Sequence, residues 1–349
     1  MMKQERTQRL AASLEGIGRT AGAKLYRGRR IEPRFLAIWA ALVVLVVLGG
    51  VAAPRSLLPG TLAAIIPFAA FLAIAAIGET LVLMTRGIDL SVPAIVTLSS
   101  TVLLGVSGGA DTNLAMAVVV ALLLAFAAGL VNGLLVGFLE LNALIVTLAT
   151  GAMLSGATLW YRQSLPPESS VPSILAAWGG SRILGINLSA WVAVLLLALL
   201  TLILRKTPAG RRLCAVGANP QAAHITGIGV PLYRAAAFAI AGLLYGIVGI
   251  LLSAFIRNPT LDVGGAYLLA PIAAAVLGGT AVSGGIGSLV SVAVAALFLT
   301  HLGQILKMLG LSSAIQSIVE GLAIALGMGL AGIRLPGWLR RAVRSSIVR

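Results

Sequence analysis

The sequence predicts an all-α polytopic membrane protein of about ten transmembrane helices. Three observations carry that prediction. Of 349 residues, 59% are hydrophobic and 10% charged, with a mean hydropathy of +1.05; no soluble domain of this length has that balance. The apolar residues fall in long unbroken runs, whereas a membrane β-barrel needs alternating strands of about ten residues. The charges sit at the ends of those runs, so the net charge of +15 reports topology and not a nucleic-acid partner.

The elements follow in order. Residues 1–34 form a basic, cytoplasmic N-terminal segment. Leu10, Leu14, Ile17, Ala21 and Leu25 recur there at three- and four-residue steps. That is compatible with an amphipathic helix on the inner membrane surface, or with a basic tail. The segment is long for a signal-peptide n-region, and the first span is expected to be retained. The transmembrane domain is expected over 35–333, with spans near 35–53, 61–84, 92–107, 114–138 and 144–160. A polar outer loop, 161–188, leads to a sixth span near 189–204. Then come a polar island, 205–234, and spans near 235–256, 266–277, 288–306 and 312–333. Residues 334–349 are a basic cytoplasmic tail.

With both termini and the island inside, twenty of the twenty-five Lys/Arg fall on the cytoplasmic side. Arg55, Arg162, Arg182, Arg257 and Lys307 fall outside, and a bias of this size sets the orientation. A weak repeat accompanies it: Gly78 through Arg86 aligns with Gly249 through Arg257, and Asp89 and Asp262 follow shortly after. Five spans separate the two copies, so the halves form two inverted five-helix repeats, a plan common in transporters. Chance similarity between apolar helices is the competing explanation.

Within the island, Asn219 to Gly227 is punctuated as one short helix. Asn219 is the N-cap, Pro220 the first helical residue and Gly227 the left-handed stop. Two turns are unstable alone in water, so a capped fragment held between membrane helices reads as a docking element for another protein.

Nothing looks catalytic. No G-x-x-x-x-G-K-[ST] loop is present, so the chain binds no ATP in that manner by itself. Two histidines and a single cysteine, Cys214, assemble no metal site and no intrachain disulfide. The Gly-rich run Leu277–Gly287 lacks lysine and reads as a tight connection or re-entrant turn. Polar residues in the spans are few. Glu79, mid-helix in the second span, is protonated, paired or exposed to an aqueous path. With it, Asp89, Ser91, Asn132, Asn142 and Thr147 are the candidates to line a solute path; hydrogen bonding between helices is the alternative.

Taken together, several segments resemble the ribose-type monosaccharide ABC transporter permeases. They are Gly78-Glu79-Thr80-Leu81-Val82, Arg86-Gly87-Ile88-Asp89-Leu90-Ser91-Val92, Gly129-Leu130-Val131-Asn132-Gly133 and Ile145-Val146-Thr147-Leu148. The island adds Gly210-Arg211, Ala215 through Ala223 and Thr226-Gly227-Ile228, and Ile272 through Thr280 with Ser283-Gly284-Gly285 completes the set. The resemblance runs in order from about 60 to 332. It implies a subunit of a bacterial inner-membrane importer, moving a sugar or related small polar solute by alternating access. It further implies a second permease copy or paralogue, cytoplasmic ATPases that bind the ATP, and a periplasmic solute-binding protein. The island becomes the ATPase-coupling loop, with Gly210, Arg211, Gly217, Asn219, Pro220, Ala222, Ala223 and Gly227 at the contact. Two departures stand out: the family usually has Gln where this chain has Glu79, and an acidic pair where it has Leu268 and Ala270. The rival readings are a branched-chain amino-acid-type ABC permease, an ion-coupled secondary transporter and a membrane-embedded enzyme.

Overall fold

The computed structural model describes residues 33–166 and 169–312, with isolated positions between 314 and 325. Nearly all of the basic segment 1–34, most of the predicted span 312–333 and the tail 334–349 lie outside the described residues. Twelve helices are found among those described. They are α1 (Pro33–Ala52), α2 (Pro59–Met84), α3 (Val92–Ser107), α4 (Leu114–Gly137), α5 (Ala143–Gln163) and α6 (Ser173–Gly180). There follow α7 (Leu188–Lys206), α8 (Pro208–Ala218), α9 (Pro220–Ile225), α10 (Val230–Ile256), α11 (Ala270–Leu277) and α12 (Leu289–Met308). Seven are long and apolar enough to cross a bilayer: α1, α2, α4, α5, α7, α10 and α12. The segments containing α3 and α11 are apolar but shorter.

Helix starts follow local chemistry. Proline occupies the first turn of α2, α3, α8, α9, α10 and α11, where its missing N–H has no intrahelical acceptor to reach. Asn142, Asn187, Thr207, Asn219 and Ser288 cap α5, α7, α8, α9 and α12 through their side chains. Two segments carry more structure than the sequence reading gave them. The loop 161–188 holds α6 and a two-residue hairpin, β1 (Arg182–Ile183) against β2 (Ile186–Asn187). The island carries two helices, α8 and α9, because Thr207-Pro208 starts a helix before the Asn219-Pro220 pair does.

In a bilayer, helices gain little by hiding apolar surface from one another, so close backbone contact must hold them. The α4–α10 crossing shows the device. Gly129, Gly133 and Gly137 of α4 meet Phe238, Ala235 and Pro231 of α10, and Gly242 of α10 faces Ala125 and Gly129. A Cβ at Gly133 would lie 2.6 Å from the Ala235 carbonyl oxygen. α2 packs on both α10 and α12, and these contacts form the centre of the bundle.

Two faces are distinguishable. One gathers α8, α9, the C-terminus of α2 and the Gly-rich turn, with Gly217 against Met84 and Gly285. The far face gathers the ends of α3 and α10 with α6: Ser173 donates to Asp111 at 2.6 Å, and the Val171 N–H to the Arg257 carbonyl at 3.1 Å. From each face one segment turns back into the bundle before a short helix begins. After α2, residues 85–91 run inward to meet α4 and α5, and α3 starts there. After α10, residues 257–269 run inward until the Gly264 N–H donates to Thr97 Oγ1 of α3 at 3.1 Å, and α11 follows. Both segments open on an arginine in the left-handed region, Arg86 and Arg257, each with φ of 70°.

Candidate functional site

The island is built from its caps inward. Asn219, extended at φ −154°, accepts the Ala222 N–H on its Oδ1 at 3.0 Å, and Pro220 sets the first turn of α9. Gly227, with φ of 80°, stops the helix. Its N–H donates to the His224 carbonyl at 2.9 Å, and that of Ile228 to the Ala223 carbonyl at 3.0 Å. This is the double bond of a Schellman stop, with Ala223 and Ile228 in one apolar cluster beside Val216. The buried side of α9 is therefore Ala223, while Ala222 and His224 are exposed and Ile225 is 85% exposed. α8 is held the same way: Gly210 packs on the Leu204 backbone, Arg211 faces outward, and burial pushes the Cys214 thiol up so that it stays protonated.

Three backbones converge where α8 ends. A Cβ on Gly217 would run into the Met84 carbonyl and the Gly285 amide. The Gly285 N–H donates to that Met84 carbonyl at 2.9 Å. Arg86 closes the joint, its guanidinium donating to the carbonyls of Gly217 and Ala218, both at 2.6 Å. The end of α2, the end of α8 and the Gly-rich turn thus move as one piece. Gly210, Gly217, Asn219, Pro220, Ala222, Ala223 and Gly227 all have definite structural duties here. Arg86, Gly284 and Gly285 do too: the Gly-rich run is the tight connection its glycines suggested, but nothing in the sequence marked Arg86 as its tether to α8.

Directly beneath lies a polar knot. Glu79 sits five residues before the end of α2, not mid-helix, and is fully buried. Its Oε1 accepts the Asp89 N–H at 3.2 Å and its Oε2 the Tyr245 hydroxyl of α10 at 3.1 Å. Asp89 Oδ1 accepts both the N–H and the hydroxyl of Ser91, and the Asn132 amide donates to that hydroxyl at 2.9 Å. Thr147 Oγ1 accepts the Leu90 N–H at 3.0 Å. Five of the six candidate path residues are thus brought together, all buried. Asn142 stands apart: it is exposed, caps α5 by accepting the Leu144 N–H at 2.9 Å, and borders a recess of about 290 Å³ with Arg86, Glu140 and Arg234. Tyr245 belongs to the knot but lies 166 residues from Glu79, beyond any local pattern.

On the far side, a recess of about 720 Å³ opens between α2, α12 and the start of α11. Phe68, Leu72, Leu268 and Ala270 supply apolar wall, and Thr300, Gln304 and Lys307 supply polar wall. Leu268 and Ala270, singled out in the sequence, thus both line a cavity.

Helices long enough to cross a bilayer, a rigid element on one face and a recess on the other define the class, a multi-pass membrane permease. The chain belongs to the family described as branched-chain amino acid transport system / permease component, which matches residues 61–327. It is 34% identical to the ribose import permease protein RbsC of Bacillus subtilis (strain 168) over 295 residues, 84% of this chain and 91% of that protein. It is 33% identical to RbsC of Escherichia coli (strain K12) over 291 residues, 82% of this chain and 90% of that protein. Against the autoinducer 2 import system permease protein LsrC of Escherichia coli (strain K12 / DH10B) it is 33% identical over 312 residues, 88% of each. No solved structure matches the chain.

Proposed function

We propose that this chain is the membrane-spanning subunit of an ATP-driven importer for a monosaccharide or related small polar solute. The observation that carries it is the joint between the island and the bundle. An exposed, doubly capped helix pair is fixed to the end of α2 by Arg86 and by glycine contacts, so a push on α9 reaches the segment 85–91 and the knot without slack. Coupling of this kind needs a stiff contact and a bundle with two packings. In this reading the island faces the cytoplasm of a bacterial cell and takes a partner ATPase, which binds the ATP. A solute-binding protein delivers cargo at the far face, and both termini are cytoplasmic. The polar knot holds the inward-running segment in register with the island. The relatives named for ribose and autoinducer 2 favour a sugar-like cargo over a branched-chain amino acid.

Ten spans in two inverted repeats are part of the same reading. Three features support the repeat: Arg86 and Arg257 both have a φ of 70°, an inward-running segment follows each, and α4 packs on α10 as α12 packs on α2. A second permease copy is part of the same reading.

Asn219→Pro tests the coupling. Proline cannot adopt a φ of −154° and removes the N–H that bonds the Ala215 carbonyl at 3.1 Å. The variant is expected to insert normally and to lose ATP-driven uptake. Wild-type uptake by that variant would sink the docking role of the island.

A further inference from the structure

Where the segment 257–269 meets α3 and α5, a separate, half-open recess of about 290 Å³ is found. Its polar lining is Thr97, Ser155, Thr158 and Asp262, with Leu159 and Leu261 among its apolar walls. The floor is firm, because Gly264 lies so close to the first turn of α3 that a Cβ there would run into the Pro93 carbonyl.

One buried group in it is unsatisfied, and one exposed carboxylate is open. Thr158 is 2% exposed, and its Oγ1 has no hydrogen-bond partner among the described residues. Several helical threonines in this chain turn the hydroxyl to the carbonyl one turn back, as Thr97 does to Pro93 and Thr147 to Ala143. A buried hydroxyl left unpaired is unfavourable and calls for a reason. Asp262 is exposed beside it, and only its backbone carbonyl is engaged, by the Gly265 N–H at 3.0 Å. Among the described residues no basic side chain lines the recess.

We infer that this recess is a waypoint for a neutral, polyhydroxylated solute; the inference rests on the importer reading above. The two Asp262 oxygens accept from a pair of neighbouring hydroxyls, and the Thr158 and Ser155 hydroxyls each donate or accept one more bond. Leu159 and Leu261 face the C–H side of the ring. The volume equals about ten waters, which matches one small sugar ring. A lone carboxylate with no cation beside it turns away anionic cargo such as a sugar phosphate.

The test uses the complete importer, this chain with its ATPase and binding protein, in proteoliposomes. Uptake of radiolabelled D-ribose, D-glucose, ribitol and ribose 5-phosphate is measured. The wild type should carry at least one of the three neutral solutes. Asp262→Asn and Thr158→Val should each slow that uptake tenfold or more, while Thr158→Ser stays within threefold. The melting temperature of Thr158→Val should equal or exceed that of the wild type, because the lost hydroxyl had no partner. Uptake within twofold of wild type in both variants would overturn the waypoint and leave the importer reading standing. So would a fall in melting temperature that accompanies the loss of uptake in Thr158→Val, since that marks a structural role. If the wild type carries none of the neutral solutes, the importer reading itself fails, and the waypoint with it.

Discussion

The segments that follow α2 and α10 begin alike and end differently. Each leaves its helix through an arginine at φ 70°, carries one aspartate, and gives a backbone N–H to a threonine of a neighbouring helix. After α2, the aspartate is buried, bonded to Ser91 and braced by Glu79, while the arginine reaches across to α8. After α10, the aspartate and the arginine are both exposed. The same local geometry therefore serves as a stiff joint on one face and as the wall of a cleft on the other. What decides between them is the neighbours: α2, α4, α5 and α8 supply polar partners to the first segment, and among the described residues the second meets Thr97 and the Val171 amide.

The sharpest way to break that contrast is to make the same change at both arginines. A positive φ costs about 1–2 kcal/mol when the residue is not glycine, so Arg86→Gly and Arg257→Gly each relieve backbone strain. Only Arg86→Gly also loses two charge-assisted bonds to the island. These are worth on the order of 2–3 kcal/mol together once partial exposure is allowed for. Uptake should fall roughly 30- to 160-fold in Arg86→Gly and stay within twofold in Arg257→Gly, with a slightly raised melting temperature in the latter. Equal losses at the two sites would show that strain, and not the tether, is what matters.

Next in size is the brace beneath the joint. Glu79→Leu strands the Asp89 N–H and the Tyr245 hydroxyl, two buried donors, at about 1–3 kcal/mol each. Glu79→Gln keeps an acceptor for the first and offers its amide to the second, so stability and uptake should both stay near wild type. Thermal unfolding in detergent separates the two variants. If Glu79→Gln is as damaging as Glu79→Leu, hydrogen-bond shape does not explain the residue.

The bundle was legible because apolar runs and membrane-crossing helices are the same constraint seen twice. The α9 helix was legible because Asn219, Pro220 and Gly227 state their own backbone angles. Asn142 carried a second signal: an asparagine just before an apolar run is an N-cap, and it caps α5. Depth was not legible, since a short apolar run such as 92–107 gives no hint that its helix starts inside the bundle. Nor was α6, an eight-residue helix whose N-terminus is held by Asp111, 62 positions away from Ser173. Arg86 and Tyr245 act across 131 and 166 positions, and pairings that long leave no trace in one sequence.

The smallest expected effect concerns that Asp111, the far-face counterpart of Asp262. Its carboxylate is filled by the chain itself, accepting the Ser173 hydroxyl at 2.6 Å and the Ile174 N–H at 2.9 Å. Those bonds, the Ser173 hydroxyl first, hold its pKa below the usual carboxylate range. A carboxyl depressed on folding contributes stability above its unfolded pKa, about 4, and loses that contribution as pH falls through the folded value. Amide exchange at Ile174, corrected for the intrinsic rate, should therefore be slower at pH 6 than at pH 3. Asp111→Asn should remove the difference. The exposed site keeps the effect small and local, and uptake should not follow it. Should uptake track Asp111 as it is expected to track Asp262, a filled carboxylate and a free one would be doing the same job, and the contrast between closed and open acids on this face would collapse.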